Sequence, residues 1–458
     1  MKFTRRSFIK TVAGVSGAAL LGPHRRTAIA SSRPRGNRAL PTPDQSGFDH
    51  IVVVMMENRS FDHLFGWHPN ADGRQEGLSY LDQSGVAHQT YPLAPDYTGC
   101  GHPDPDHSWE GGRIQRNGGA MDGFLLGAND EYSIGYYVEE DRPFYSALAR
   151  KFTTLDRYFC SILGPTFPNR LFMHSAQTDR LTNTFVLATM PTIWDALADA
   201  GVDGRYYYGN LPFLGLWGDR YLGISRTSDH FIKEAQAGQL PAVSFLDPTY
   251  TLDDDRPGLG DDDHPHADIR RGDAFLARAF HAVATGPLWP RTVFIVNFDE
   301  WGGFFDHVAP PRAAAPNLVD PDLEDGRALL GFRVPTVVAS PFTAGDPDNP
   351  LVDGTVFDHT SVLKLIEWRW GLSPLTARDS SEDVGNLATV LDLENPRAEV
   401  PDLPLPEGPP PAVCMPVAAA SGGGAEQIQF GRQTRRGSNA WAGLARSALL
   451  DRWPIRGR

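Results

Sequence analysis

Two uninterrupted apolar segments stand out along the chain, and each stops abruptly at polar residues. The first covers residues 51–56 and ends at Glu57, and the second covers residues 292–298 and ends at Asp299. Neither segment alternates between apolar and polar positions, which is typical of a strand buried on both faces of a parallel sheet. We therefore predict two core strands of the same layout, each followed directly by acidic residues.

Other segments extend this pattern into a fold class. Further core strands are predicted at 242–246 and 334–339, and helices at 144–151, 192–200, 274–284 and 361–370. Strands interleaved with helices predict an α/β fold with a mostly parallel sheet sandwiched by helices. The long irregular stretches at 67–141 and 211–263 predict loop or cap insertions over the sheet edge. In such sheets ligands bind beyond the carboxyl ends of the strands.

The first thirty residues predict an export signal. Arg5 and Arg6 precede a weakly apolar, Gly/Ala-rich run at 11–21, and Ala28-Ile29-Ala30 follows. This run is shorter than the roughly 20 residues that a membrane span needs. The paired arginines are similar to the signal read by the twin-arginine translocation machinery, which carries folded proteins. The alternative is an amphipathic structural N-terminus with a chance Arg-Arg pair. We expect an exported protein, periplasmic or secreted.

The rest of the chain divides into a catalytic domain and a tail. Residues 1–30 are the predicted signal peptide, and residues 48–400 are the predicted catalytic domain. The composition after Pro401 becomes rich in Pro, Gly and Ala, so residues 408–458 are interpreted as a linker and an Arg-rich tail. We expect this tail to be peripheral or disordered.

The net charge of the chain limits the classes of molecule that it can bind. The 458 residues include 42 basic and 56 acidic side chains, for a net charge of −14. Nucleic acids and anionic lipid surfaces attract positive charge, so this balance argues against general binding to either.

Three cysteines are too few for a disulfide framework in so long a chain. The sequence leaves open whether Cys100 pairs with Cys160.

The polar residues after the two main strands predict a metal site. Glu57 and Asn58 follow one strand, and Asp299 and Glu300 follow the other. Acids at such buried positions are costly unless a cation offsets them, and hard oxygen ligands favour a divalent cation. Calcium, magnesium or manganese suits the oxygens, while nearby histidines leave zinc or iron open. The alternative is that these acids pair with arginines such as Arg59 or lie in solvated loops.

Thr166 is the candidate nucleophile. It lies just ahead of Pro168 at a predicted helix start, where free backbone N–H groups and the helix dipole favour an anion. A hydroxyl near a metal can ionise and attack phosphorus. Arg170 could then clamp phosphate oxygens. The alternative is that Thr166 is an ordinary N-cap of a structural helix.

Histidines within acidic loops are candidate proton donors. His107 and His264 have acidic neighbours, which raise the affinity of histidine for a proton and suit a general acid. The alternative is that both are solvated loop residues. His307 and His359 each follow an aspartate, and His359 could equally belong to the cap of the helix after it.

Four motifs, in this order, resemble the bacterial phosphoesterase family. They lie at residues 57–63, 164–170, 262–265 and 299–308, and the resemblance covers about 48–370. This family includes phosphatidylcholine-type phospholipases C, plant non-specific phospholipases C and respiratory-burst-inhibiting acid phosphatases. The resemblance implies a fold similar to the alkaline phosphatase core.

The resemblance also implies roles for individual residues. Four residues would surround a metal, namely Glu57, Asn58, Asp299 and Glu300. Thr166 would be the nucleophile and a further metal ligand, and His107 and His264 would contact the phosphoryl group or the leaving oxygen. His307 falls within a family motif and is a further candidate catalytic residue. His266 lies one residue closer to His264 than in the plant pattern, so it receives no role.

These implications lead to a reaction class and to alternatives. We expect a metal-dependent phosphoesterase that cleaves phospholipid head groups in phospholipase C fashion, the alternative being an acid phosphatase acting on phosphomonoesters. A phosphate-binding protein without turnover is a third reading. Aromatic stretches at 206–208 and 213–217 either line a lipid-facing groove or form local core. A phospholipid or small phosphoester is the expected substrate, with transient contact at a membrane surface.

Overall fold

A computed structural model describes residues 39–251, 259–413 and 440–455. Within these ranges the strands are β1 (His50–Met56), β2 (Ser79–Leu81), β3 (Ala87–Gln89), β4 (Tyr91–Pro92), β5 (Gly135–Tyr136), β6 (Thr153–Leu155), β7 (Gly204–Tyr208), β8 (Ser225–Thr227), β9 (Val243–Leu246), β10 (Thr292–Phe298), β11 (Arg312–Ala314), β12 (Leu323–Glu324), β13 (Arg327–Leu329), β14 (Val337–Ala339) and β15 (Val352–Asp353). The helices are α1 (Phe61–Phe65), α2 (Trp109–Arg116), α3 (Pro143–Lys151), α4 (Thr166–Ser175), α5 (Ile193–Asp199), α6 (Ser228–Ala237), α7 (Ile269–Ala284), α8 (His359–Trp370), α9 (Ala377–Ser380) and α10 (Ala440–Arg446). The predicted signal peptide and residues 414–439 of the linker and tail lie outside the described residues.

An eight-stranded sheet in the order β15-β6-β14-β10-β1-β9-β7-β8 forms the centre of the fold. Strand β14 runs antiparallel to its neighbours β10 and β6, and the other pairs in this sheet are parallel. The predicted α/β class with a mostly parallel sheet is therefore confirmed. Parallel neighbours end at the same edge of the sheet, which brings together the residues that follow them.

Strands β1 and β10 pair along their whole length, from His50 opposite Thr292 to Met56 opposite Phe298. All seven residues of β10 are buried, as are all residues of β1 after His50. This burial on both faces explains why neither apolar segment alternates. The Asp299 N–H donates to the Met56 carbonyl at 3.1 Å, so the pairing continues to the first polar residue.

Helices pack against one another in two groups. Helix α7 packs against α3 and α6, and α4 packs against α8. All ten residues of α4 are buried, so this helix is enclosed by the rest of the fold. A helix enclosed in this way holds its first residue, Thr166, in a fixed place.

Three predictions are wrong, and they concern the stretch 211–263, the tail and the start of one helix. The stretch 211–263 is not simply a cap, because it contributes β8 to the central sheet in addition to the predicted strand at 242–246, which is β9. The tail is not wholly peripheral, because α10 buries Trp441. Helix α7 begins five residues earlier than predicted, since the Asp268 side chain accepts a hydrogen bond from the Arg270 N–H and caps the helix there.

Two further features concern a cysteine and the lengths of the helices. Cys160 is a free, buried thiol and so does not pair with Cys100. In the ranges that the structure describes, no helix is both long enough and apolar enough to cross a membrane.

Candidate active site

The polar residues after β1 and β10 meet at one edge of the sheet. Glu57, Asn58, Asp299 and Glu300 are all fully buried. The Asn58 N–H donates to Asp299 Oδ1 at 3.1 Å. The two strand ends therefore converge, as the sequence predicts.

Gly302 allows the two segments to approach this closely. Its φ is +64°, and a Cβ atom there would lie 2.0 Å from the Asn58 carbonyl oxygen. Asn58 itself has a φ of 59°, which asparagine tolerates better than most residues. The close packing of the two backbones holds both pairs of polar side chains in one place.

Arg170 is the positive charge within this group. Its Nε donates to Asp299 Oδ2 at 3.1 Å and its Nη1 to Asp247 Oδ1 at 2.9 Å. Its Nη2 lies 3.3 Å from Glu57 Oε1. The arginine that pairs with the acids is therefore Arg170 rather than Arg59, which donates instead to the Asp263 carbonyl. With its nitrogens directed at protein acceptors, Arg170 acts as a counter-charge to the acids, and these contacts do not support its predicted role as a phosphate clamp.

Thr166 begins α4, in agreement with its predicted place at a helix N-terminus. It lies four residues before Arg170, so both side chains project from the same side of the helix. The Asn169 Nδ2 donates to the Gly164 carbonyl at 2.8 Å and fixes the turn that leads into Thr166. Thr166 is thus held on the helix face whose arginine contacts the strand-end carboxylates.

His107 and His264 lie together beside Glu300. Their rings are 5.8 Å apart and nearly perpendicular. His107 Nε2 lies 3.8 Å from Glu300 Oε1, and His264 Nε2 lies 4.0 Å from Asp104 Oδ2. The Nδ1 atoms contact the carbonyls of Pro105 and Pro265, at 2.8 and 2.9 Å, which orients both rings.

The two histidines differ in their affinity for a proton. Burial opposes the charge of His107, but Glu300 and Asp104 together outweigh it and raise the pKa of His107 to about 9. Burial lowers the pKa of His264, and Asp104 offsets this effect only in part. The predicted increase is therefore confirmed for His107 and wrong for His264, because the sequence does not show how deeply His264 is buried.

The oxygens of the site fit a divalent cation. Among the described residues, none donates a hydrogen bond to four buried oxygens, namely Glu57 Oε1, Asn58 Oδ1, Asp104 Oδ1 and Glu300 Oε1. Buried oxygens of this kind are costly without a partner. Burial and the nearby Asp299 raise the pKa of Glu57 well above its ordinary value. Burial also raises the pKa of Glu300 to about 8, with His107 opposing this shift. A cation would offset the charge of these carboxylates and would supply the missing partners.

His307 lies in a different network. Its Nδ1 contacts Asp62 Oδ2 at 2.5 Å and its Nε2 contacts Asp72 Oδ1 at 3.1 Å. Arg333 donates to Asp62 Oδ1 at 3.1 Å and to Asp306 Oδ1 at 3.0 Å. These contacts tie the loop after β10 to the segment after β1, and they do not support contact between His307 and a phosphate.

His359 supports the site through the backbone of Asp299. It begins α8, whose cap is Asp358 rather than His359 itself. His359 Nε2 lies 2.7 Å from the Asp299 carbonyl oxygen, and the Tyr158 hydroxyl lies 3.2 Å from Nδ1. Burial lowers the pKa of His359 to about 4. The neutral ring therefore holds the backbone of Asp299.

Three residues of the site are missing from the sequence prediction. Asp104, in the loop before His107, lies near both histidines. Asp247 directly follows β9 and pairs with Arg170, so the rule that identified Glu57 and Asp299 could also have found it. Trp441 donates from its indole N–H to Glu57 Oε2 at 2.8 Å. Nothing in the sequence of the tail points to that contact.

Comparisons with known proteins identify relatives of this chain. The model of the phosphoesterase family matches residues 48–373. The chain is 33% identical to phospholipase C B of Mycobacterium tuberculosis, over 86% of each chain. It is 32% identical to non-specific phospholipase C6 of Arabidopsis thaliana, covering 80% of this chain and 76% of the relative.

One further relative and one solved structure are more distantly similar to this chain. The chain is 30% identical to the non-hemolytic phospholipase C of Pseudomonas aeruginosa, covering 90% of this chain and 68% of the relative. A solved structure of an alkaline phosphatase superfamily protein from Vibrio parahaemolyticus superposes with a TM-score of 0.36 at 11% identity, covering 74% of this chain and 71% of that one. The family match and the bacterial and plant relatives together show that this chain belongs to the phosphoesterase family and is a phosphoric ester hydrolase.

Proposed function

We propose that this protein is an exported, metal-dependent phosphoesterase that cleaves phospholipid head groups in phospholipase C fashion with Thr166 as nucleophile. The observation that carries the proposal is the set of buried oxygens where β1 and β10 end that accept no hydrogen bond from the described residues. Thr166 supports it, because the helix that it begins also carries Arg170, which contacts the same carboxylates.

Five residues would hold the cation, namely Glu57, Asn58, Thr166, Asp299 and Glu300. When bound, a divalent cation offsets negative charge on phosphoryl oxygens and favours ionisation of a nearby hydroxyl. Arg170 fixes Glu57 and Asp299 and keeps their mutual repulsion tolerable.

The chain's own groups perform two displacements. In the first, Thr166 loses its hydroxyl proton to solvent and its oxygen attacks phosphorus, the bond from phosphorus to the glycerol oxygen breaks, and a protonated histidine donates its proton to that oxygen. His107 and His264 are the proposed donors because their rings lie together beside Glu300. In the second displacement, the histidine that gave up its proton takes one from water, and the water oxygen attacks phosphorus. The bond to Thr166 breaks, the Thr166 oxygen takes a proton from solvent, and phosphocholine or phosphate leaves.

The names of the relatives favour cleavage of a phosphodiester over cleavage of a phosphomonoester. The related proteins from Mycobacterium, Arabidopsis and Pseudomonas are phospholipases C. The aromatic stretches at 206–208 and 213–217 belong to the core, since their aromatic rings are buried. They therefore do not line a lipid-facing groove. An acid phosphatase acting on monoesters is the alternative.

A different surface supports contact with lipid. Phe185, Val186 and Leu187 are consecutive exposed apolar residues. The neighbouring Asn183 accepts a hydrogen bond from the Phe167 N–H at 2.8 Å, and the rings of Phe185 and Phe167 are 6.0 Å apart. This apolar loop (residues 185–187) therefore lies beside the residue that follows Thr166. Because the net charge is −14, a zwitterionic surface suits it better than an anionic one.

Export is proposed from the sequence of the first thirty residues alone. The twin-arginine translocation machinery is the proposed partner, and substitution of Arg5 and Arg6 by lysine should retain the protein in the cytoplasm. Fractionation of cells that produce the protein would test this.

One experiment tests the proposed activity. The purified protein is incubated with phosphatidylcholine and, separately, with a chromogenic phosphomonoester, each with and without a chelator. We expect release of phosphocholine from phosphatidylcholine, and loss of that activity with the chelator. Cleavage of the monoester alone would favour the acid phosphatase reading. Cleavage of neither substrate would contradict the proposal.

A further inference from the structure

The tail of the chain returns to the active site. Trp441, on helix α10, is 2% exposed. Its ring stacks on Tyr250 at 3.6 Å with an interplanar angle of 11°. It also meets the ring of Phe167, the residue after Thr166, edge to face at 5.4 Å. The tail thus forms part of the wall around the site.

Trp441 binds one oxygen of Glu57 and leaves the other for a different partner. The indole N–H donates to Glu57 Oε2 at 2.8 Å. Within the described residues, Glu57 Oε1 accepts no hydrogen bond, and its nearest ionic neighbour is Arg170 Nη2 at 3.3 Å. Hydrogen bonds to the outer atoms of a ligating carboxylate set its orientation and tune the metal. The contact therefore presents Oε1 to a cation.

The segment that carries Trp441 is anchored independently of Glu57. The Trp453 indole N–H donates to the Gly218 carbonyl at 3.1 Å, and the Tyr208 hydroxyl donates to the Pro454 carbonyl at 2.9 Å. Leu444 and Leu450 are fully buried. A segment held at several points can fix the indole, and does not merely rest against the site.

We propose that Trp441 is a positioning residue that orients Glu57 for the cation, so that residues 440–455 complete the active site. This inference rests on the proposed metal-dependent function. It assigns to the tail a part in metal binding that is separate from any contact with substrate.

Replacing Trp441 by phenylalanine tests this role, because phenylalanine keeps an aromatic ring and removes only the N–H donor. The matched control is Trp368→Phe, which removes an equivalent N–H outside the tail, one that donates to the Pro41 main-chain carbonyl at 3.1 Å. Full-length, chelator-treated proteins are titrated with MnCl2, CaCl2 and ZnCl2 by calorimetry, and kcat and KM for phosphatidylcholine are then measured. Thermal unfolding of each variant checks that it is folded.

We expect Trp441→Phe to weaken cation binding by about 10- to 100-fold, with lower kcat and little change in KM. Trp368→Phe should stay within about twofold of the wild type, because Trp368 contacts no residue of the proposed cation site in the part of the chain that the structure describes, and ligand-shell effects are local. Equal cation affinity in the wild type and Trp441→Phe would overturn the inference while leaving the proposed function intact. A higher rate in Trp441→Phe would also overturn it, because the tail would then obstruct the site. A wild type that binds none of the cations would instead contradict the proposed function and, with it, this inference.

Discussion

Arg170 is buried among acidic side chains, and its charge makes their burial tolerable. Arg170→Met keeps an apolar chain but leaves Asp247 and Asp299 without their ion pairs. Breaking a buried ion pair by removing one partner typically costs about 3–5 kcal/mol, so we expect the free energy of unfolding to fall by that amount. Denaturant unfolding, followed by circular dichroism, measures the change.

The control for Arg170 is an arginine in a more exposed pair. Arg205 pairs with Glu234 at 2.7 Å and its side chain is 28% exposed. Arg205→Met should therefore cost less than about 1 kcal/mol. If Arg170→Met were as stable as the wild type and only its KM for phosphatidylcholine rose, Arg170 would act on the substrate instead.

Substitutions of Thr166 test its proposed role as the nucleophile. Thr166→Ala removes the hydroxyl from the first residue of a fully buried helix, so the fold should persist. We expect kcat to fall by about 10³-fold or more, because no nucleophile is left at that position. Thr166→Ser keeps a hydroxyl and should retain much of the activity. Unchanged turnover in Thr166→Ala would remove the nucleophile assignment.

At the scale of elements, the network around His307 joins the segments that follow β1 and β10. The charged groups around His307 are Asp62, Asp72, Asp306 and Arg333. Burial opposes the charge of His307, but the hydrogen bonds to Asp62 and Asp72 outweigh it and raise the pKa of His307 to about 9. The hydrogen bond from His307 is also the main reason why the pKa of Asp72 falls to about 2.

This network predicts a pH dependence of stability. Because the pKa of His307 is higher in the folded state than its ordinary 6.5, its contribution is complete below pH 6.5 and is lost as the pH rises through about 9. The contribution of Asp72 is present above its ordinary 3.8 and is lost as the pH falls through about 2. We expect the wild type to exceed His307→Gln in stability most clearly between about pH 4 and 6.5, as measured by denaturant unfolding. A stability difference that stayed constant from pH 6 to pH 10 would contradict this account.

The same elements show how far the sequence could predict the site. Glu57 and Asp299 were predictable because each ends an apolar segment that forms a parallel strand, and parallel strands end at one edge. The place of His307 was not predictable, because a motif shows which residues are near in sequence. It does not show which loop the side chain of His307 contacts. The place of Trp441 was not predictable either, since its contact with Glu57 joins two residues that are far apart in sequence. The pKa of His264 depends on burial, which the acidic composition of its loop does not reveal.

At the scale of the whole molecule, the apolar loop places exposed side chains near Thr166. A surface that contacts lipid only transiently needs few such residues, since burying one valine or leucine side chain contributes about 1.5–3 kcal/mol. The rest of the protein carries a net charge of −14, which disfavours anionic lipid. The molecule as a whole therefore favours zwitterionic vesicles, with contact restricted to this loop.

Val186→Asp tests the lipid contact, because Val186 is 62% exposed and its replacement should leave the core unchanged. We expect hydrolysis of phosphatidylcholine vesicles to fall by about tenfold or more, since a charge replaces an apolar side chain that would enter the lipid surface. Hydrolysis of a short-chain phosphatidylcholine below its micelle concentration should not change. Val86→Asp is the matched control, because Val86 is 54% exposed at the turn between β2 and β3. Equal losses in the two variants, or a loss on the soluble substrate as well, would show that the apolar loop does not bind lipid.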